Sequence, residues 1–132
     1  MRVTADLASG PARPCVILVD DDPAVTHAMQ FSFDLEGLDV RSFRDGESLL
    51  AAGDLPEIGC LILDHNLPGM DGLALLERLR AISVCLPAIL ITTNPRAALR
   101  NRAAAAGVPI IEKPLLTDAL LTTVRTALAR QA

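Results

Sequence analysis

Short apolar runs alternate along this chain with longer stretches in which apolar residues recur every three or four positions. Four of the runs end abruptly in a polar residue: VILV in Asp20-Asp21, LIL in Asp64, AILI in Thr92, and PII in Glu112-Lys113-Pro114. An unbroken apolar run of about four residues marks a strand buried on both faces. A polar residue directly after it is carried to the edge of the sheet. The pattern predicts β1 over 15–19, α1 over 23–36, β2 over 39–43, α2 over 46–52 and β3 over 60–63. It continues with α3 over 72–80, β4 over 88–91, α4 over 95–106, β5 over 109–111 and α5 over 115–130.

Local signals set the boundaries. Asp22 is placed to cap α1 with Pro23 at its first position, and Gly37 is placed to end it. Asn94-Pro95 repeats the start signal for α4 and Gly107 repeats the stop. Val25, Met29 and Phe33 form a core-facing stripe at a spacing of four, and Phe31 is assigned to core packing with Phe33. Residues 1–14 lack periodicity and read as a flexible N-terminal tail, with the folded domain over 15–132.

Five strands alternating with five helices imply an α/β fold, a doubly wound parallel sheet with right-handed helical crossovers covering both faces. Ligands of such sheets bind outside the carboxyl ends of the strands. Asp20, Asp21, Asp64, Thr92 and Lys113 all fall there.

Composition narrows the function. At 132 residues the chain is one domain that needs no metal or disulfide to hold its core. A net charge of −4 argues against sequence-independent binding to nucleic acid, which needs a clustered positive surface. The apolar runs are too short to span a membrane and nothing resembles a signal peptide, so a soluble, cytoplasmic protein is expected. Cys15, Cys60 and Cys85 lack C-x-x-C spacing and read as small buried hydrophobes; a three-thiol metal site would require their strands to be neighbours. Of twelve basic residues Lys113 is the single lysine. Its ammonium is a compact point charge on a flexible stem, suited to reaching one oxygen in a crowded pocket.

Three carboxylates in one crevice repel one another unless a cation compensates. All-oxygen ligation by carboxylates, a backbone carbonyl and water suits Mg²⁺. His65, beside Asp64, is read as a rim residue rather than a ligand. Lys113 and Thr92 add an ammonium and a hydroxyl, which implies an anionic substrate. Carboxylate, Mg²⁺, hydroxyl and amine together form a site for phosphoryl transfer, with Asp64 as the natural nucleophile.

The segments VILVDDDP, LILDHNLPGMDG, PAILITTN and IIEKP, in that order and at these intervals, resemble the receiver domain of two-component response regulators over about residues 15–130. The resemblance implies a flavodoxin-like sheet of order 2-1-3-4-5. It implies that Asp64 takes a phosphoryl group from a sensor histidine kinase or a histidine phosphotransfer protein. Asp20, Asp21, Asp64 and the backbone carbonyl of Asn66 would hold Mg²⁺. Thr92 and Lys113 would bind phosphoryl oxygens, and Pro114 would fix the β5–α5 turn. Output would pass to a downstream protein target through the α4–β5–α5 face, which also allows a homodimer, without direct contact to nucleic acid or membrane and without an output domain in the chain. The domain would be a signalling module with self-catalysed phosphorylation and dephosphorylation, not an enzyme with a separate substrate.

The sequence departs from the family pattern at three places. Thr93 stands where a small residue usually follows the switch hydroxyl, and Ile110 stands where an aromatic ring commonly swings inward. The interval from Thr92 to Lys113 is one residue short, which places the largest departure around 94–102. Arg96 and Arg100, one turn apart, form either a solvated face or a basic stripe. Two other classes remain open: a binding module of the same fold that signals without phosphate, and a haloacid-dehalogenase-like phosphatase. Against the latter, Asn66 occupies the position of that family's second aspartate.

Overall fold

The computed structural model describes residues 13–113 and 118–131. Its strands are β1 (Cys15–Val19), β2 (Asp39–Phe43), β3 (Gly59–Asp64), β4 (Ala88–Thr92) and β5 (Ile110–Glu112). They form one parallel sheet in the order β2-β1-β3-β4-β5. The helices between and after them are α1 (Pro23–Leu35), α2 (Gly46–Ala52), α3 (Gly72–Ala81), α4 (Ala97–Ala105) and α5 (Ala119–Ala129). The α/β reading and the strand order implied by the resemblance are both borne out.

Alternation along each strand divides the core in two. Ile17, Val19, Leu61, Leu63, Ala88 and Leu90 face one layer, filled by Leu49 of α2, Leu73, Leu75, Leu76 and Leu79 of α3, and Ala103 of α4. Val16, Leu18, Cys60, Ile62, Ile89 and Ile91 face the other, filled by Met29 and Phe33 of α1 and by Leu120 and Val124 of α5. Because both faces are covered, the three central strands read as continuous apolar runs rather than alternating ones.

Helix starts follow carboxylate caps where the sequence supplies them. Asp22 accepts from the Ala24 N–H at 2.9 Å, Asp45 from Ser48 N–H at 2.8 Å, and Asp71 from Ala74 N–H at 2.8 Å. The bonds from Ser48 to Asp45 hold its carboxyl below the ordinary range. The start signal at Asn94-Pro95 does not act as read: α4 begins at Ala97, its cap residue is Arg96, and no side chain caps it. Asn94 instead takes a left-handed backbone, φ 45°, which its short polar side chain tolerates. Only Ala103 of α4 is buried.

Two further expectations are corrected. Phe33 is buried but Phe31 is 70 % exposed, since two residues of helix turn it about 200° away from the core stripe. Cys60 is buried, Cys15 half-buried and Cys85 exposed. Cys15 and Cys60 lie on neighbouring strands but on opposite faces of the sheet, so the thiols have no common site. Burial pushes the Cys60 thiol up to about 12. Iodoacetamide at pH 8 is therefore expected to alkylate Cys85 and to leave Cys60 unmodified until the protein is unfolded, as peptide mass mapping would read out.

The tail reading for residues 1–12, the turn assigned to Pro114, and the start of α5 at Leu115 lie outside the described residues. Arg13 and Pro14 are fastened to the domain. Arg13 donates to Asp34 Oδ1 at 3.0 Å and to the Leu38 carbonyl at 3.1 Å, and the Pro14 carbonyl accepts from Asp39 N–H at 2.9 Å. Among the described residues no helix is long and apolar enough to cross a membrane.

Candidate functional site

Strand register brings the polar strand ends side by side. Val19 pairs with Leu63, Asp64 with Ile91, and Thr92 with Glu112, so Asp20, Asp64, Thr92 and Lys113 sit in adjacent places at one edge of the sheet. The Lys113 N–H donates to the Thr92 carbonyl at 2.8 Å, which carries the ladder one residue beyond β5. Asp20 and Asp64 share the strand parity of the α1/α5 layer, whereas Thr92 shares that of the α2–α4 layer.

Asp20, Asp64 and Thr92 are the buried polar residues among those described, each 2–3 % exposed, whereas Asp21 is exposed. Carboxylate oxygens of Asp20, Asp21 and Asp64 lie within 4.8 Å of one another. The Lys113 Nζ stands 3.2 Å from Asp64 Oδ2, to which it donates, and 3.2 Å from Asp20 Oδ2. Asp64 Oδ1 accepts from the Asn66 N–H at 3.0 Å, and Asp20 Oδ1 from the Asp22 N–H at 2.9 Å. Thr93 and Asn66 are exposed at the rim, and Ile110 is half-buried against the α2–α4 core.

The helix behind the site approaches very closely. A Cβ on Gly72 would lie 2.7 Å from the Asp64 carbonyl oxygen and 2.7 Å from Leu90 Cδ1. Glycine there lets α3 start against the end of β3, and the Gly72 N–H donates to the His65 carbonyl at 3.2 Å. His65 itself is half-buried, with its Nδ1 enclosed and unpartnered, and it stands outside the carboxylate cluster.

This ordered set of strand-end groups is matched by a family model: the response regulator receiver domain, over residues 16–125. The chain belongs to the response regulator receiver family. It is 38 % identical over 118 residues to the C4-dicarboxylate transport transcriptional regulatory protein DctD of Pseudomonas aeruginosa, covering 89 % of this chain and 26 % of that one. It is 32 % identical over 118 residues to the transcriptional regulatory protein FixJ of Bradyrhizobium diazoefficiens, covering 89 % and 57 %. The solved response regulator StyR superposes with a TM-score of 0.82 at 33 % identity, covering 90 % of this chain and 61 % of that one. The receiver thus spans about a quarter to somewhat over half the length of these relatives. Receiver domains are signalling modules of two-component phosphorelays that work with histidine kinases and downstream targets, and they bind Mg²⁺ at an acidic pocket.

Electrostatics in this receiver's pocket are those of a site short of positive charge. Burial drives the Asp20 carboxyl above its ordinary value; the Asp22 N–H and Lys113 oppose the shift and the Asp64 charge adds to it. Burial pulls the Lys113 ammonium down, but Asp64 and Asp20 more than offset this and leave it above its usual value. Asp20 Oδ2 is fully enclosed and receives no directed hydrogen bond, although Nζ is near; the contact is one of charge rather than of aligned donor and acceptor. An enclosed, undirected carboxylate oxygen within reach of two other carboxylates fits a small hard cation.

Sequence reading missed what lies beside the pocket. An open groove of about 560 Å³ runs from Asp20 and Asp21 past Thr26, His27 and Gln30 of α1 to Arg44 after β2. No apolar run points to these residues; they meet only because α1 crosses over β2.

Proposed function

We propose that this domain is a phosphoacceptor: Asp64 takes a phosphoryl group from a sensor histidine kinase or a histidine phosphotransfer protein, and the product alters binding of a downstream protein target. The observation that carries the reading is the single ammonium of Lys113 at 3.2 Å from both buried carboxylates, Asp20 and Asp64, which have no other cation beside them among the described residues. In the transfer an Asp64 carboxylate oxygen attacks phosphorus, the bond from phosphorus to the donor imidazole nitrogen breaks, and the imidazole leaves with that electron pair. The acyl phosphate is later cleaved by water, which returns the carboxylate and releases inorganic phosphate.

Each residue contributes a definable part. Lys113 neutralises one phosphoryl oxygen, and the Thr92 hydroxyl donates to another. The Asn66 N–H holds Asp64 Oδ1, which leaves Oδ2 on the side of Lys113 for attack. Asp20, Asp21, Asp64 and the Asn66 carbonyl would hold Mg²⁺, which supplies charge neutralisation for the incoming group. Thr93 narrows the approach of water and of other proteins. Output uses the α4–β5–α5 face, with Ile110 in place of a swinging ring; that face is also where two copies would pair. DctD and FixJ are named as transcriptional regulatory proteins, but the net charge of −4 here argues against this domain itself contacting nucleic acid.

The test is incubation with Mg²⁺ and a small acyl phosphate, followed by intact mass. One phosphoryl adduct per chain is expected, lost when the metal is chelated beforehand. No adduct would favour the phosphate-independent binding module, and continuous phosphate release over many turnovers would favour a phosphatase.

A further inference from the structure

The two buried carboxylates of the pocket are held alike. Each gives Oδ1 to the main-chain N–H two residues on, Asp20 to that of Asp22 at 2.9 Å and Asp64 to that of Asn66 at 3.0 Å, and each has Oδ2 at 3.2 Å from Lys113 Nζ. The two N–H groups stand in different settings. Asn66 lies in a loop that runs on to the α3 cap at Asp71, whereas Asp22 is itself the cap of α1.

Asp22 is tied through three groups at once. Its N–H donates to Asp20 Oδ1, its own Oδ1 accepts from the Ala24 N–H at 2.9 Å, and its carbonyl accepts from the Thr26 N–H at 3.1 Å. Its backbone is extended, φ −92° and ψ 112°, as a cap requires, and Pro23 restricts the residue that follows. On the other side the Asp20 N–H donates to the Phe43 carbonyl at 3.1 Å, which fastens Asp20 to the end of β2. Asp21 therefore lies between two fastened neighbours. Its carboxylate is exposed, yet an oxygen of it stands within 4.8 Å of oxygens of Asp20 and Asp64. Rotation of the peptide between Asp21 and Asp22 would release Asp20 Oδ1 and turn Asp21 away together. The cap on α1 opposes that rotation.

Asp22 stands outside the carboxylate cluster, with its side chain turned to the helix. We propose that Asp22 is a positioning residue for the metal pocket: by capping α1 it sets the peptide between Asp21 and Asp22, so that Asp20 Oδ2 and the Asp21 carboxylate are aimed before a cation arrives. This role rests on the reading of the acid pocket as a Mg²⁺ site. The cost of ordering the ligands is then met on folding rather than on binding, so a side chain that touches no ion sets how tightly the ion is held.

The test is a Mg²⁺ titration of the full chain followed by NMR amide shifts, with amide exchange of the metal-free chain as a second reading, all in about 0.3 M salt to screen the lost charge. Asp22→Ala is expected to weaken Mg²⁺ binding about fivefold and to speed exchange of the amide at position 22 by a similar factor, the order of effect that loss of a cap has on a local equilibrium. Asp22→Ser keeps a capping oxygen without the charge, and should stay within about twofold of the natural chain in both readings. Asp45→Ala is the control, because it strips the like cap from α2, where Asp45 accepts from the Ser48 N–H at 2.8 Å. It should lower the urea midpoint as Asp22→Ala does and leave Mg²⁺ affinity unchanged. Natural affinity in Asp22→Ala would overturn the proposal. So would an equal loss in Asp45→Ala, which would mean general loosening, or a serine variant as weak as the alanine one, which would make the effect one of charge. A natural chain whose amides at 20–22 and 64–66 ignore Mg²⁺ would overturn the metal reading and the aiming role with it, while the adduct on Asp64 is judged separately by intact mass.

Discussion

Asp64→Asn is expected to abolish the phosphoryl adduct while leaving the protein folded. Asparagine has the shape of aspartate, and its Oδ1 can still accept from the Asn66 N–H now bonded at 3.0 Å. What it loses is the electron pair of a carboxylate, without which no acyl phosphate forms. It also removes one of the two negative charges beside Lys113, so the ammonium is left with Asp20 as its buried partner. Intact mass after incubation with Mg²⁺ and a small acyl phosphate should show no adduct, whereas circular dichroism should be unchanged. A full adduct on Asp64→Asn would move the phosphoacceptor elsewhere and end the assignment.

Gly72→Ala is expected to be the most damaging single-methyl change near the site. The added Cβ would stand 2.7 Å from the Asp64 carbonyl oxygen, a backbone atom that can retreat only by moving β3 or α3. Overpacking of this kind costs about 1–3 kcal/mol, and the displaced β3 end should slow phosphoryl transfer as well. Gly37→Ala is the control: nothing lies within 4 Å of its Cβ, and its positive φ of 80° alone costs about 1 kcal/mol. Urea unfolding should show the larger fall in midpoint for Gly72→Ala, and only that variant should also lose transfer rate. Equal behaviour of the two would mean that the close approach of α3 is not needed.

The strands and the acid pocket were legible because each is written locally. A buried parallel strand must be a short apolar run, and the residue after it has nowhere to go but the sheet edge, so Asp20, Asp64, Thr92 and Lys113 could be placed before their distances were known. Asp22 and Gly37 marked the ends of α1 for equally local reasons. Elsewhere two meanings shared one signal. Asn94-Pro95 reads as a helix start, but asparagine also tolerates a left-handed backbone, and the chain uses it that way. Phe31 reads as core because it is aromatic, yet the helical period turns it outward. Gln131, whose side-chain amide bonds to both main-chain groups of Gly59 72 residues away, carries no pattern at all, because a contact between one side chain and one distant peptide leaves no periodicity.

The sparse footing of α4 has a consequence for how this chain diversifies. Buried Ala103, half-buried Leu99 packed on the core, and two exposed ion pairs, Arg100 with Glu112 at 3.5 Å and Arg102 with Asp71 at 3.9 Å, are its main ties to the domain. Exposed pairs contribute little to stability. Most positions of that helix are thus free to drift without penalty to folding, which makes it the cheapest surface on which descendants of this chain acquire new acquaintances.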